Sequence, residues 1–175
     1  MDDILRIFEK YQTFFTGLLG FTGVIMTMIV NARHQWAMHD RKLKHEAQTL
    51  RVALRAELDA NRMAFEGRIQ QLDEQTDFSH ALVPNQPINQ VYSNHLNKLG
   101  LLSDEEIERV FKAYLLMSDL FFRMRILVGA DNVIGINNEI IRLVDQERRS
   151  AASDMHKSFL PDIKKAIESI DKNRR

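Results

Sequence analysis

The chain contains no cysteine, only three prolines in 175 residues, and no excess of either charge, since 24 Lys and Arg oppose 24 Asp and Glu. Without cysteine there is no disulfide framework, no Cys-ligated zinc, no iron–sulfur cluster and no thiol nucleophile. The balanced charge argues against a general nucleic-acid clamp and leaves only local basic patches for such a role. Gly-rich phosphate loops, nucleophile elbows and the HExxH zinc motif are also missing. His34, His39 and His45 are spaced by five and six residues. Neighbouring ligands on one helix need spacings of three or four, so no metal site and no cofactor are expected. Strand signals are lacking as well, because nowhere do four or more β-branched residues alternate with polar ones.

What is present is one long uncharged run. Tyr11 to Ala32 makes 22 residues without a charge, between Lys10 and Arg33. As a helix at 1.5 Å per residue it would be about 33 Å long, enough for a hydrocarbon core of about 30 Å. Tyr11 at one end and Trp36 beyond the other match the placing of interfacial aromatics. Val30 and Ala32 would also tolerate signal-peptide cleavage, but the run is too long for that and Asp2, Asp3 and Glu9 sit in the leader. The expectation is a retained transmembrane helix over 11–32, after a short flank at 1–10. Arg33, Arg41, Lys42, Lys44 and Arg51 follow the span, against Arg6 and Lys10 before it. That bias predicts a bacterial inner (plasma) membrane protein with its N-terminus out and its C-terminal bulk in the cytoplasm. Arg33, Trp36, Arg41, Lys42 and Lys44 are expected to meet lipid headgroups.

Within the span, Thr13, Thr16, Gly17, Gly20, Gly23, Val24, Thr27 and Asn31 fall in one arc of about 120° at 100° per residue. Phe14, Phe15, Leu18, Leu19, Phe21, Ile25, Met28 and Ile29 occupy the remainder. Lipid gives apolar helices no hydrophobic reason to associate, so small residues that admit close backbone contact mark an assembly face. The face predicts a homo-oligomer, or in a larger ring a lined pore.

After the span, 33–72 reads as a juxtamembrane stalk helix. Leu43, Ala47, Leu50, Leu54, Leu58, Asn61, Phe65, Ile69 and Leu72 recur at spacings of 4, 3 and 4. An 11-residue period fits a straight or slightly right-handed coiled-coil seam, and a plain amphipathic helix packed on its own domain fits equally. Asn61 within the stripe would set register or satisfy a buried polar contact. Residues 73–88, with Asp73, Glu74, Asp77, Pro84, Asn85 and Pro87, read as a linker. A helical domain over 89–175 follows. A short helix with Val91, Tyr92, Leu96 and Leu99 should end at a left-handed Gly100 cap. Ser103–Glu106 forms a capping box for a helix to about Val128, stopped by Gly129 and buried on most sides. Another helix, with Ile136, Ile140, Ile141, Leu143 and Val144, should extend to Leu160 and break or kink at Pro161. The tail carries Ile163, Ile167 and Ile170 and ends in Lys172, Arg174 and Arg175. The fold class expected is all-α: one transmembrane helix, a stalk and a helical bundle.

One pair bears on chemistry. Arg149 and His156 are separated by six residues. An Arg-x4–6-His pair in a helical bundle resembles the signature of HEPN ribonucleases. The resemblance implies a metal-independent site shared across a dimer, with His156 as acid and base and Arg149 stabilising the phosphate. Arg33 and His39, five residues apart, form a second pair within the same motif at the membrane edge.

Two wider resemblances complete the reading. The run Leu50-Arg51, Leu54-Arg55-Ala56-Glu57-Leu58 and Asn61, followed by Val91-Tyr92, Leu99-Gly100-Leu101-Leu102, Val110 and Tyr114, resembles a group of uncharacterised single-span bacterial membrane proteins. The layout of one N-terminal span plus a helical domain is similar to HEPN-type membrane accessories of RNA-targeting CRISPR systems, some of which assemble into membrane rings. The reading preferred from the sequence is a self-assembling pore or scaffold in stress or phage defence, bound to membrane lipid. The alternatives are a membrane-anchored ribonuclease acting on RNA and a tethered adaptor for a cytoplasmic protein partner.

Overall fold

The computed structural model describes residues 2–74, 81–84, 86–135 and 140–173, with side chains from Tyr11 onward except Thr13 and Phe15. Asp77, Asn85, Ile136, Arg174 and Arg175 lie outside the described residues, as do the side chains of Asp2, Asp3, Arg6, Glu9, Lys10, Thr13 and Phe15. The chain divides into two compact units, Met1–His45 and Glu46–Arg175.

One helix, α1, runs from Asp2 to Glu74. It contains no proline to remove a ladder hydrogen bond. In the first unit it is the only described element, and its described side chains are exposed.

The second unit holds all the described buried residues. The stripe predicted from spacing is its core face on α1: Ala47, Leu50, Leu54, Leu58, Asn61, Phe65 and Leu72 are buried, Ile69 is half-buried and Leu43 is exposed. Of the two readings of that stripe, the helix packed on its own domain is the one seen. Its apolar residues join one core with those of α3 (Asp104–Val128) and α4 (Gln146–Lys172). No coiled-coil seam is required to explain them.

The Ser103 side chain accepts from the Glu106 N–H, and the Glu106 carboxylate accepts from the Ser103 N–H at 2.8 Å, so the predicted capping box opens α3. Gly129, at φ +78°, follows its last residue; a side chain there would be strained. Ahead of α3 lie α2 (Gln90–Asn94) and a 3-10 turn at Leu96–Leu101. Gly100 sits inside that turn without a positive φ, so it is not the left-handed cap that was expected.

The all-α expectation holds in its coarse form, with one small sheet added. The chain is mostly helical, but β1 (Ala81–Pro84), β2 (Val133–Ile134) and β3 (Ile140–Leu143) form an antiparallel sheet in the order β1-β3-β2. Ala81 pairs with Leu143, Val83 with Ile141, and Val133 also with Ile141. Ala81, Val83, Ile141 and Leu143 point into the core, while Leu82 faces solvent. The stretch 73–88, expected as a linker, therefore contains a strand. Ile140, Ile141 and Leu143, placed on a helix by their spacing, alternate in burial as strand residues do.

The helix expected after Asn132 and as far as Leu160 begins only at Gln146, where Asp145 accepts from the Arg148 N–H at 2.8 Å. It then continues through Pro161 to Lys172. Proline removes one ladder bond there, but buried Ala152 and His156 on one side and Ile163, Ala166, Ile167 and Ile170 on the other hold both halves against the core.

Two polar residues of α1 fix the chain that crosses it. The Asn61 amide donates to the Ile88 carbonyl at 2.7 Å and accepts from the Ile88 N–H at 3.1 Å. One turn earlier, Glu57 is 6% exposed and accepts from the N–H groups of Val91 at 2.6 Å and Tyr92 at 3.0 Å and from the Tyr114 hydroxyl at 2.5 Å. Asn89 makes no side-chain cap bond to α2, so Glu57 meets that helix's first amides from another element. Asn61→Ala leaves both main-chain groups of Ile88 without their partner. It should cost about 1–3 kcal/mol, seen as a lower thermal midpoint of the full chain in mild detergent by circular dichroism. Met63→Ala, at a position 61% exposed, should leave the midpoint near that of the parent.

Candidate functional site: an exposed apolar helix face and a buried Arg/His pair

Among the described residues one helix, α1, is long and apolar enough to cross a membrane, and no residue of its apolar stretch is buried. Leu19, 73% exposed, lies on the side of the helix opposite Phe21 and Met28, each 65% exposed. A helix buried in its own protein would not show this pattern, whereas a lipid-facing one needs it.

The hydroxyls of the stretch are satisfied locally. Thr16 donates to the Gln12 carbonyl at 2.8 Å, Thr22 to Leu18 at 2.6 Å and Thr27 to Gly23 at 2.8 Å. Each is a bond to the carbonyl four residues earlier, which removes a donor that hydrocarbon could not satisfy. Thr16, Gly17, Gly20, Gly23, Thr27 and Asn31 are exposed, and a methyl group placed on any of the three glycines would meet nothing within 4 Å. The small-residue face is thus uncovered within one chain. The Thr13 side chain, assigned to the same face, lies outside the described residues.

Beyond the apolar stretch, Arg33, Trp36, Arg41, Lys42 and Lys44 are exposed along α1, and Lys44 reaches Asp40 at 2.7 Å. Among the described residues no three His, Asp or Glu side chains come together as a metal cluster would require.

Arg149 and His156 lie two turns apart on the same face of α4, and both are buried, to 6% and 0% exposure. The His156 Nδ1 is 2.7 Å from the Ala152 carbonyl, so it carries the proton and donates. The ring meets Phe65 of α1 edge-on, with centroids 4.9 Å apart, and its Nε2 has no hydrogen-bond partner. Arg68 of α1 stands over Phe65 and Phe121 at 5.9 and 5.8 Å. Burial lowers the His156 pKa to about 4, the Ala152 carbonyl opposing that shift and the Arg68 charge adding to it. His156 is a neutral packing group in this arrangement, and neither it nor Arg149 is presented to a nucleic acid.

Other features were not foreseen. Glu106, fully buried, receives both Nε and Nη2 of Arg51 at 2.7 and 3.0 Å. Burial pushes its carboxyl up, but the Arg51 guanidinium and the Ser103 donors outweigh that and hold it below the usual range. Tyr92 and Tyr114 stack at 4.1 Å beside Glu57, and burial together with the Glu57 carboxylate raises the Tyr114 hydroxyl. The helix expected to be buried on most sides, α3, instead exposes Phe111, Leu115, Phe122 and Ile126. Their spacing of 4, 7 and 4 residues was legible, but it overlaps the spacing of the buried set on the same helix.

Comparison with protein-family models, with curated proteins and with solved structures finds no match.

The His156 environment sets a pH window. Its folded pKa lies below the unfolded value near 6.5, so the unfolded chain takes up the proton first and stability falls with pH between about 6.5 and 4. The loss should approach about 3 kcal/mol at the acid end. Thermal midpoints of the full chain measured every half pH unit should decline through that window, and His156→Phe should flatten the decline above pH 4.5, where the carboxylates are still ionised.

Proposed function

We propose that the chain is a single-span membrane protein that self-assembles through the small-residue face of its span and anchors the helical unit as a membrane scaffold. The observation that carries this reading is the all-round exposure of the apolar stretch together with an uncovered glycine face. Water would penalise such a surface at about 25 cal/mol per Å², whereas lipid would not. Close helix contact across Gly17, Gly20 and Gly23 is then the available means of association. The locally bonded threonines support the same environment.

The five basic residues after the span, against two before it, favour an N-terminus outside and the helical unit in the cytoplasm of a bacterial inner membrane. The similarity of layout to ring-forming membrane accessories points the same way for assembly. A ring of about six or more copies would turn the Thr16, Gly20 and Asn31 arc toward a central axis as a pore lining. The buried state of Arg149 and His156 favours the scaffold over the ribonuclease.

The test is the mass of the complex in nanodiscs, by mass photometry. Gly20→Ile should shift the distribution toward fewer copies, and Phe21→Ile should leave it unchanged. Equal behaviour of the two variants would defeat the assignment of the face.

A further inference from the structure

The α3 helix presents two apolar faces. Val110, Met117, Leu120 and Met124 are buried in the core of the helical unit, whereas Phe111, Leu115, Phe122 and Ile126 are 53%, 55%, 61% and 67% exposed. At 100° per residue these four lie within an arc of about 60°. With about 200 Å² per large side chain, they leave roughly 450 Å² of apolar surface in water. That is the size of the largest apolar patch on a typical protein surface, which is often a contact site. Two hollows flank the ridge. One of about 210 Å³ lies among Tyr92, Ser93, Phe111 and Leu115, and one of about 330 Å³ lies among Phe122, Ile126, Ala130 and Val133.

We propose that this face is a two-fold interface with a second copy of this chain, the two α3 helices packing antiparallel. A two-fold contact demands a surface complementary to itself. The stripe meets that demand because its positions reflect about the point between Ser118 and Asp119. Turning a copy end for end sets Ile126 opposite Phe111 and Phe122 opposite Leu115. Ser118, exposed and small, stands at the crossing and lets the backbones approach. The hollow beside Phe111 and Leu115 then faces the other copy's Phe122 and Ile126, and the second hollow faces its Phe111 and Leu115.

Both copies together bury about 900 Å² from these four positions, less than the roughly 1,200 Å² of a free-standing dimer, so the contact acts between copies that the span already holds side by side in the membrane. A lipid surface is the poorer occupant, because the flank carries an Asp119–Arg123 ion pair at 2.7 Å and both Glu108 and Arg125, with no excess of cations. This contact adds to the self-assembly proposed above and uses none of the residues of the span.

The absence of cysteine makes the test direct. Ser118→Cys in the full chain, reconstituted in nanodiscs and treated with a mild copper oxidant, should give a disulfide-linked dimer. Asp154→Cys, at an exposed position on α4, should not. Adding Phe122→Glu, a change at an exposed position that leaves the core intact, should lower the cross-linking by about tenfold. Adding Gly20→Ile should reduce the number of copies per complex while the cross-link at position 118 persists, which separates the two contacts. Cross-linking at position 118 no faster than at 154, or indifferent to Phe122→Glu, overturns the proposal. So does protection of the thiol at position 118 from a water-soluble maleimide without cross-linking, which would identify lipid or a different protein as the occupant.

Discussion

A carboxylate withdrawn from water must find donors for its oxygens, and on α1 that requirement organises the helical unit. Glu57 finds them in the first amides of α2 and in the Tyr114 hydroxyl of α3. Glu106 finds them in Arg51 and in the backbone of Ser103. Each group ties a separate part of the chain to the same helix. An apolar stripe alone would allow α2 and α3 to slide or rotate along α1 at little cost. The two carboxylates and Asn61 admit one register, because any shift would leave a charge or a main-chain group unpaired. Arg55 with Asp171 at 2.8 Å and Lys164 with Glu66 at 2.9 Å add contacts from α4, though these are part-exposed and worth less.

The two parts of α1 carry different side-chain patterns. Along its apolar stretch large apolar side chains are exposed on opposite sides of the helix, and Thr16, Thr22 and Thr27 donate to carbonyls within it. In the second unit the apolar positions narrow to a stripe and the other sides carry charges such as Arg62, bonded to Asp59 and Glu66. A helix satisfies its main-chain hydrogen bonds within itself, so one secondary structure continues where the side-chain pattern changes.

Much of this arrangement could be read from the residues. The capping box at Ser103, the stop at Gly129 and the α1 stripe with its buried Asn61 rest on local chemistry or on a period long enough to count. The sheet was hidden for a physical reason. Its strands are at most four residues long, and Ile140, Ile141 and Leu143 satisfy a helical spacing as well as an alternating one. What decides between them is pairing with Ala81–Pro84, some sixty positions away in sequence, which no local pattern records. Of the two effects expected of Pro161, a break does not occur, since tertiary packing on both sides outweighs one lost hydrogen bond. The face of α3 that stays in water was masked because a helix with two apolar faces has the composition of a buried one. The Arg149/His156 pair shows that spacing can place two residues on one face without revealing whether that face meets solvent or core.

The clamp formed by Glu57 and Asn61 has a consequence for how the sequence can drift. Its bonds to Ile88, Val91 and Tyr92 all end on main-chain atoms, which every amino acid supplies. The side chain at 88 can therefore change freely, as its 49% exposure also allows. Proline alone is shut out at 88, 91 and 92, because it lacks the N–H that each bond uses. The side-chain information that fixes this crossing is stored in α1, so position 88 is left open to variation while Val91 and Tyr92 are still held by their packing on the core.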